Sequence, residues 1–277
     1  MLYYETYGSG PPVIFLHGFA SDSLAFRNQI DAFSKNYQVI LIDLAGHGRS
    51  PMPEGGLSTE VFAQGVKEVI DHKFGFCHLQ FDHAHYLPRA KPRGLDFGFT
   101  LVGWSMGGRV ALKLYELYKE LMGSLVLVAT TPHYLKTPDY PYGIPRKFFT
   151  DLKERIKADP QKGLNYFRNL VFAKEKNPKE LKDVFIEKQA ADIAQLFAVL
   201  DSLEFEDLRP ILPTITAPTL LVHGELDQVC YLGNSEYMAG QIKGSRLEII
   251  KGAAHAPFLT KPEVFNRIVL EFLDGNR

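Results

Sequence analysis

The stretch FTLVGWSMGG, residues 99–108, decides how this chain folds. The apolar run over residues 99–102 predicts a buried strand, and the amphipathic spacing over residues 106–118 predicts a helix directly after it. One glycine lies two residues before Ser105, and another lies two residues after it. Glycines at these places permit the tight strand-to-helix turn that lifts a serine side chain out of a sheet. The stretch therefore predicts an α/β fold in which Ser105 is a nucleophile.

Further short apolar runs predict the other strands of the same sheet. They cover residues 12–16, 38–42, 125–129, 220–223 and 247–250. Amphipathic segments over residues 23–35 and 262–273 predict helices beside them. Continuous apolar strands separated by helices indicate a mostly parallel sheet flanked by helices. Ligands bind beyond the carboxyl ends of such strands, so the residues that follow each run are candidates for a site.

Two regions interrupt this alternation. Residues 133–209 show only helical patterns, and we interpret them as a helical cap inserted into a core formed by residues 1–132 and 210–277. The candidate cap helices cover residues 145–158, 161–174, 178–189 and 191–203. Residues 72–98 have no clean period and are expected to form a long loop insertion in the core.

The 72–98 segment is rich in potential metal ligands. It contains Cys77 and the histidines 72, 78, 83 and 85, of which His83 and His85 could supply two ligands. No second pair with ordered spacing accompanies them, although structural zinc sites use four ligands. We therefore expect no metal in this protein and a surface insertion in this segment.

A serine hydroxyl needs a positioned base before it can act as a nucleophile. His255, in a loop of small residues after the last predicted strand, is the first candidate. The alternatives are His17, His47, His133 and His223. The chain order of nucleophile, acid and histidine in folds of this kind leaves His223 and His255, which both follow the Ser105 turn and the cap. His223 is the last residue of a predicted strand, where a packed structural histidine is expected, so His255 is favoured.

The acid that orients the histidine should follow the penultimate strand. The segment GELD, residues 224–227, lies there, with Asp227 as the first choice and Glu225 as the alternative. A carboxylate at this place would fix the imidazole tautomer and stabilise the imidazolium. Two backbone N–H groups should then hold the oxyanion, and the candidates are those of Met106, directly after the nucleophile, and Phe19, after the first predicted strand.

The composition agrees with an ordinary globular enzyme of 277 residues, 45% hydrophobic and 23% charged. A formal net charge of −1 gives no reason to expect nucleic acid or an anionic membrane as a partner. The two cysteines, Cys77 and Cys230, form no disulfide framework, and neither a signal peptide nor a membrane-spanning run is visible. We expect a cytoplasmic monomer.

Together, these motifs resemble the α/β-hydrolase superfamily. The residues that carry the resemblance are HGF (17–19), DLAGHGRS (43–50), GWSMGG (103–108), GELD (224–227) and AHAPF (254–258). More narrowly, GWSMGG, DLR (207–209) and AAHAPF (253–258) are similar to the esterases that remove the methyl group from pimeloyl-acyl-carrier-protein methyl ester in biotin synthesis. Two departures are Phe19, where those esterases have tryptophan, and the length of the 72–98 segment.

The resemblance implies a triad of Ser105, Asp227 and His255, no cofactor, and a cap that contacts both the acyl chain and the carrier protein. The expected substrate-binding residues are Phe19, Trp104, Met106, Phe167, Leu170, Val171 and His255. The expected carrier-protein contacts are Arg146, Lys147, Arg155 and Arg168. Residues 145–174 contain eight basic and three acidic residues, which favours an acidic partner.

Three alternatives use the same scaffold: a general short-chain carboxylesterase, a carbon–carbon bond hydrolase of ring-cleavage products, and a non-enzymatic ligand receptor. Dehalogenase and epoxide hydrolase chemistry would require a carboxylate at residue 105. The complete set of nucleophile, acid, base and oxyanion loop argues against a receptor.

Overall fold

One sheet forms the centre of the protein within residues 1–75, 98–175 and 193–276, the parts that the computed structural model describes. Its strands are β1 (Tyr4–Tyr7), β2 (Pro12–Leu16), β3 (Gln38–Ile42), β4 (Phe99–Trp104), β5 (Met122–Val128), β6 (Thr219–Gly224) and β7 (Arg246–Ile250). They lie in the order β1-β3-β2-β4-β5-β6-β7. All neighbours pair in parallel except β1 with β3, so the predicted mostly parallel sheet is confirmed.

Six of these strands agree with the predicted apolar runs. The predictions for β2 and β3 coincide with the observed bounds, and the other four differ only at their ends. The strand β1 is not predicted, because its sequence YETY has no continuous apolar run and its residues are only partly buried. It is an antiparallel edge strand, held in register by the pair Tyr4 and Ile42.

Helices cover both faces of the sheet, as its strands predict. They are α1 (Arg27–Phe33), α2 (Thr59–Phe74), α3 (Met106–Tyr118), α4 (Arg146–Ala158), α5 (Pro160–Val171), α6 (Ile193–Phe205), α7 (Gly233–Gln241), α8 (Pro257–Thr260) and α9 (Pro262–Asp274). The predictions for α3 and α9 are confirmed, whereas the predicted helix over residues 23–35 divides into a 3₁₀ turn, Ser23–Phe26, and α1. The apolar spacing does not predict α7, which contains two glycines.

The helix α2 corrects the start of the predicted loop over residues 72–98. The Ser58 side chain accepts from the Val61 N–H at the start of α2, and Gly75 ends the helix in the left-handed conformation. His72 therefore lies in the last turn of a helix and not in a loop. Residues 76–97, with Cys77 and the histidines 78, 83 and 85, lie outside the described residues.

The region between β5 and β6 contains α4, α5 and α6, followed by a 3₁₀ turn, Arg209–Thr214. Asp159 accepts from the Lys162 N–H at the start of α5, where Pro160 is the first helical residue. These helices agree with three of the predicted cap helices, and the fourth, over residues 178–189, lies outside the described residues. The division into a core and a cap at residues 133 and 209 remains our interpretation.

The register brings the carboxyl ends of the central strands to one edge of the sheet. Leu16 of β2 lies beside Gly103 of β4, which lies beside Leu127 of β5. Val128, at the end of β5, lies beside Val222 of β6. The loops that follow these strands therefore open at the same edge, where ligands bind in parallel sheets.

Candidate active site

Ser105 occupies a sharp turn between β4 and α3. Its φ of 54° lies in the left-handed region that non-glycine residues rarely adopt, and its N–H donates to the Val128 carbonyl at 2.9 Å. A Cβ at Gly107 would lie 2.1 Å from the carbonyl oxygen of Leu16, and one at Gly103 would lie 2.5 Å from the backbone of Gly107. Both positions therefore require glycine, which confirms the reason for the predicted turn.

Ser105, His255 and Asp227 form a continuous series of hydrogen bonds. The Oγ atom of Ser105 lies 2.9 Å from Nε2 of His255, and Nδ1 of His255 lies 2.7 Å from Oδ2 of Asp227. All three residues are buried. Because an ionised carboxylate only accepts, the network assigns the His255 proton to Nδ1 and leaves Nε2 to accept from the serine hydroxyl. The structure thus brings together the three residues that the sequence predicts as a triad.

The loop after β6 holds the Asp227 carboxylate in place. Oδ1 accepts from the N–H groups of Val229 and Cys230, at 2.7 and 3.0 Å. The Asp227 N–H donates to the carbonyl of Gly224 at 3.2 Å. Two donors on one oxygen leave the other oxygen directed at His255, so the loop orients the acid of the series.

The alternatives near Asp227 have other partners. Nε2 of His223 lies 2.8 Å from the Cys230 carbonyl, and Nδ1 lies 2.7 Å from the Ser235 hydroxyl. Nε2 also lies 3.3 Å from Oδ2 of Asp227, farther than the 2.7 Å between that oxygen and His255. Burial lowers the pKa of His223, so this imidazole is neutral at physiological pH. The Glu225 carboxylate accepts from the Gly252 N–H at 3.0 Å. Neither alternative therefore takes the place of His255 or Asp227.

The remaining candidate histidines support loops. Nε2 of His17 accepts from the Leu44 N–H at 2.9 Å. Burial, and then the neighbouring His47, lower the pKa of His17 to about 3, so it is a neutral structural group. His133 contacts the backbone carbonyl of Glu206 at 3.3 Å through Nδ1. These side chains are occupied elsewhere, which favours His255 as the base.

The N–H groups of Phe19 and Met106 lie at the start of two adjacent loops. Phe19 follows β2, Met106 is the first residue of α3, and the preceding strands pair at Leu16 and Gly103. Neither N–H donates a hydrogen bond to any residue in the described ranges. Unpaired donors beside a nucleophile are what an oxyanion hole requires, and this role stays a prediction for both groups.

The helix α5 lies against the loops that carry Phe19 and His255. The rings of Phe19 and Phe167 meet edge to face with their centres 5.3 Å apart. The Val171 carbonyl accepts from the His255 N–H at 3.1 Å, and Leu170 is half-buried beside the same apolar cluster. The structure therefore places Phe167 against Phe19 and the Val171 carbonyl against the histidine loop, while the Val171 side chain is fully buried. Contact of Phe19, Phe167, Leu170 and Val171 with a substrate stays a prediction.

The Trp104 side chain is buried and contacts the loop that carries His255. It is 1% exposed, and its Nε1–H donates to the His255 carbonyl at 2.8 Å. Its ring also packs on that of Phe258, with centres 5.0 Å apart. The expectation that Trp104 binds substrate is therefore corrected: the indole positions the histidine loop.

Tyr134 is a residue of the site that the sequence analysis does not identify. Its hydroxyl lies 3.3 Å from the Oγ atom of Ser105. Burial raises the pKa of Tyr134, so the phenol keeps its proton. It belongs to the irregular segment after β5, and only its place beyond the carboxyl end of a central strand could have indicated it.

Glu175 is a second residue that the sequence analysis does not identify. One of its carboxylate oxygens accepts from the Ala254 N–H at 2.5 Å, next to His255. Burial raises the pKa of this carboxyl group, which also contacts the Thr260 hydroxyl. It lies four residues after the end of α5, and no pattern in that segment distinguishes a carboxylate that packs inward from a solvated one. Glu175 therefore supports the histidine loop from the cap.

Two of the four residues expected to meet a carrier protein are clearly accessible. The Lys147 side chain is 80% exposed and pairs with Asp151 at 2.7 Å. The Arg146 side chain is 64% exposed and lies 3.6 Å from Glu204. The Lys147 pair is exposed and therefore weak, and the Arg146 guanidinium is only loosely paired with the buried Glu204, so both cations could meet an acidic surface.

The other two expected carrier contacts differ from each other. Arg155 is exposed, and its guanidinium lies over the ring of Tyr166, 4.3 Å from the ring centre. Arg168 is only 8% exposed and donates to the Asn165 side chain at 2.9 Å. The structure thus corrects the expectation for Arg168, which lies on the buried side of α5 and offers little surface to a partner.

Among the described residues, no helix is both long and apolar enough to cross a membrane. The same part of the chain contains no group of three or more histidine, cysteine, aspartate or glutamate side chains arranged to hold a metal ion. The series formed by Ser105, His255 and Asp227 needs neither a metal nor a cofactor for acyl transfer.

Comparison with known proteins agrees with this geometry. Residues 11–262 match the family model described as the alpha/beta hydrolase fold. A pimeloyl-[acyl-carrier protein] methyl ester esterase of Nitrosomonas europaea is 28% identical over 95% of this chain and 96% of its own length. The AB hydrolase superfamily protein YisY of Bacillus subtilis is 29% identical over 98% of this chain and 94% of its own. A solved esterase from Exiguobacterium antarcticum is 30% identical, with a TM-score of 0.83 over 99% of this chain and 95% of its own.

Proposed function

Because the chain belongs to the α/β hydrolase fold family, we propose that it is a serine carboxylesterase that hydrolyses the methyl ester of pimeloyl-acyl-carrier protein in biotin synthesis. The observation that carries the reaction class is the hydrogen-bonded series from Ser105 through His255 to Asp227. The substrate class rests on the name of the Nitrosomonas europaea relative, with which this chain shares nearly its whole length.

The first half of the reaction forms an acyl-enzyme. Ser105 Oγ attacks the ester carbonyl carbon, and its proton passes to Nε2 of His255. The N–H groups of Phe19 and Met106 hold the oxyanion, and each such donor typically contributes about 10²–10³-fold in rate. His255 then gives its proton to the methoxy oxygen, the bond from that oxygen to the acyl carbon breaks, and methanol leaves.

The second half of the reaction returns the free enzyme. A water molecule attacks the acyl carbon and gives its proton to His255. The bond between the acyl carbon and Ser105 Oγ breaks, and His255 protonates Oγ as the carboxylic acid leaves. Asp227 stays ionised in both halves, because its function is to orient the imidazole and stabilise the imidazolium.

The surroundings of the triad support an acyl chain that enters beneath the cap. The rings of Phe19 and Phe167 meet at the loop that follows β2, and half-buried Leu170 lies on the same helix as Phe167, so these residues would supply apolar surface to the acyl chain. The exposed cations Arg146, Lys147 and Arg155 are then the first surface that an acidic carrier protein would meet. Such an encounter should weaken with salt, because exposed charges are screened beyond about 10 Å at 0.1 M ionic strength.

A general short-chain carboxylesterase is the second candidate, and its support is the 30% identity with the Exiguobacterium antarcticum esterase. It would use the same triad and oxyanion donors, so the two candidates differ only in what the cap recognises. Carbon–carbon bond hydrolysis and a receptor function have no comparable support. The expected cytoplasmic location and monomeric state stay predictions.

Complementation distinguishes the two candidates. A biotin auxotroph that lacks its own pimeloyl methyl ester esterase is transformed with the wild type, Ser105→Ala, or the control Ser245→Ala, which lies in the turn before β7. Growth without biotin should follow the wild type and the control, but not Ser105→Ala. Absence of growth with a wild-type protein that hydrolyses simple esters in the lysate would favour the general carboxylesterase.

A further inference from the structure

We propose that Tyr134 is a further catalytic residue, whose hydroxyl stabilises the Oγ atom of Ser105 as the leaving group when the acyl-enzyme is hydrolysed. The proposal rests on the proposed serine esterase function. It concerns the second half of the reaction, in which the bond from the acyl carbon to Oγ breaks. Among the triad residues, only the protonated His255 can donate to Ser105 Oγ while this bond breaks.

The geometry places two groups on the same oxygen. His255 Nε2 lies 2.9 Å from Ser105 Oγ, and the Tyr134 hydroxyl lies 3.3 Å from it. In the free enzyme the serine proton points to His255, so the tyrosine O–H donates to a lone pair of Oγ. The second lone pair remains for attack on the ester. Tyr134 therefore touches the reacting atom without occupying the position of the base.

The Tyr134 ring is fixed by buried neighbours. The Phe149 ring of α4 meets it edge to face, with centres 6.0 Å apart. The fully buried guanidinium of Arg109 lies 5.3 Å from its centre and is itself held by Glu206 at 2.9 Å. Burial raises the pKa of the Tyr134 phenol, so it keeps the proton that it can donate. A donor whose ring is buried and packed against Phe149 and Arg109 loses little entropy when it acts, which is the condition for electrostatic preorganisation.

The effect of such a donor differs between the two halves of the reaction. A serine hydroxyl accepts hydrogen bonds well, so the Tyr134 bond already exists in the free enzyme and gains little during attack. The Oγ atom of an acyl-enzyme is an ester oxygen, a poor acceptor, and it becomes a good acceptor again as the tetrahedral intermediate forms and collapses. Only interactions that strengthen between ground state and transition state accelerate a step. Tyr134 should therefore accelerate deacylation and leave acylation nearly unchanged.

The step balances without any added reagent. Water adds to the acyl carbon and gives one proton to His255. The bond between that carbon and Ser105 Oγ then breaks, its electron pair passes to Oγ, and the His255 proton follows. Tyr134 keeps its own proton throughout and only donates a hydrogen bond to Oγ.

The test compares Tyr134→Phe with the wild type on p-nitrophenyl butyrate. The value of kcat/KM reports acylation. The fraction of enzyme that is acylated at saturating substrate is measured by quenched intact-protein mass spectrometry, and kcat divided by this fraction gives the deacylation rate constant. Both constants are normalised to sites titrated with a fluorophosphonate, so their ratio does not depend on the folded fraction. Tyr140→Phe is the matched control, because it removes another buried tyrosine hydroxyl, one that bonds Asn234 at 2.7 Å.

We expect deacylation to slow by about 10-fold to 100-fold in Tyr134→Phe, with kcat/KM within about threefold of the wild type, as the loss of one hydrogen bond to developing charge implies. Tyr134→Met should likewise slow deacylation while kcat/KM stays nearly unchanged, whereas Tyr140→Phe should not show this difference between the two constants. Equal losses in both constants, or no loss in either, would overturn the role of Tyr134 but not the proposed esterase function. A wild type that neither hydrolyses the ester nor becomes acylated would overturn the proposed function together with it.

Discussion

The backbone N–H of His255 donates a hydrogen bond to the carbonyl of Val171, the last residue of α5, at 3.1 Å. The preceding N–H, that of Ala254, donates to the Glu175 carboxylate four residues further along the chain from Val171. Two successive donors of the histidine loop are thus satisfied by the region between β5 and β6 and not by the core. Movement of α5 should consequently change the position of the catalytic base.

Glu175→Ala should lower both stability and kcat. It leaves the buried Ala254 N–H without its carboxylate acceptor, which costs about 1–3 kcal/mol. Glu175→Gln keeps an oxygen acceptor at the same place and should remain close to the wild type. Urea unfolding and kcat on p-nitrophenyl butyrate measure both effects. A Gln variant as impaired as the Ala variant would show that the charge, and not the hydrogen bond, is what the loop needs.

Ser105→Gly should be more stable than Ser105→Ala, although both should be inactive. The φ of 54° and ψ of −113° at residue 105 are unfavourable for any residue with a Cβ and acceptable for glycine. Such strain costs about 1–3 kcal/mol, so the glycine variant should unfold later in urea by an amount of this order. Equal midpoints for the two variants would mean that the turn stores no strain at this residue.

Gly107→Ala should prevent formation of the nucleophile turn. Its Cβ would lie 2.1 Å from the carbonyl oxygen of Leu16, and a clash with backbone cannot be relieved by a side-chain rotation. We expect little folded protein on expression, or a large loss of fluorophosphonate labelling. The matched control is Gly240→Ala in α7, where a Cβ meets no atom within 4 Å and helix propensity favours alanine by about 1 kcal/mol. Normal labelling of Gly107→Ala would contradict the tight turn.

Asp22→Asn should stabilise the protein increasingly as the pH rises. Burial, and then the charge of Asp43, raise the pKa of Asp22 from 3.8 to about 6, while its side chain caps the Leu24 N–H. A carboxyl group whose pKa is raised on folding contributes stability below its unfolded pKa, and this contribution is lost as the pH passes its folded pKa. The amide in Asp22→Asn keeps the hydrogen bond without carrying a charge. The free energy of unfolding of this variant should therefore exceed that of the wild type by a margin that grows between about pH 4 and pH 7 and reaches about 1–3 kcal/mol.

Urea unfolding of the wild type and Asp22→Asn at several pH values measures this difference. Asp31→Asn, an exposed aspartate on α1, controls for the loss of a charge. An advantage of Asp22→Asn that stays constant with pH would contradict the buried, ionised carboxylate.

The central sheet and the triad could be predicted from the sequence because their signals are local. Buried parallel strands are continuous apolar runs, and the space around Ser105 admits only glycine at residues 103 and 107. The chain order after the nucleophile also places the acid in the segment 224–227, and the structure bonds Asp227, the first choice there, to His255.

The residues that escape prediction depend on contacts between distant parts of the chain. Tyr134 meets Ser105 only because β5 lies beside β4, and Glu175 meets Ala254 only because α5 packs against the histidine loop. The resemblance implies that Trp104 binds substrate, yet its side chain is buried and donates to the His255 carbonyl. The edge strand β1 is half-exposed, so it lacks the apolar run that marks the other strands.

The most direct test of the account is the conversion of purified pimeloyl-acyl-carrier-protein methyl ester, followed by intact-protein mass spectrometry. The account predicts that the wild type removes the methyl group, that Ser105→Ala does not, and that the rate falls with added salt because Arg146 and Lys147 meet an acidic carrier. A wild-type enzyme that hydrolyses p-nitrophenyl butyrate through Ser105 but leaves the carrier-bound methyl ester intact would contradict it.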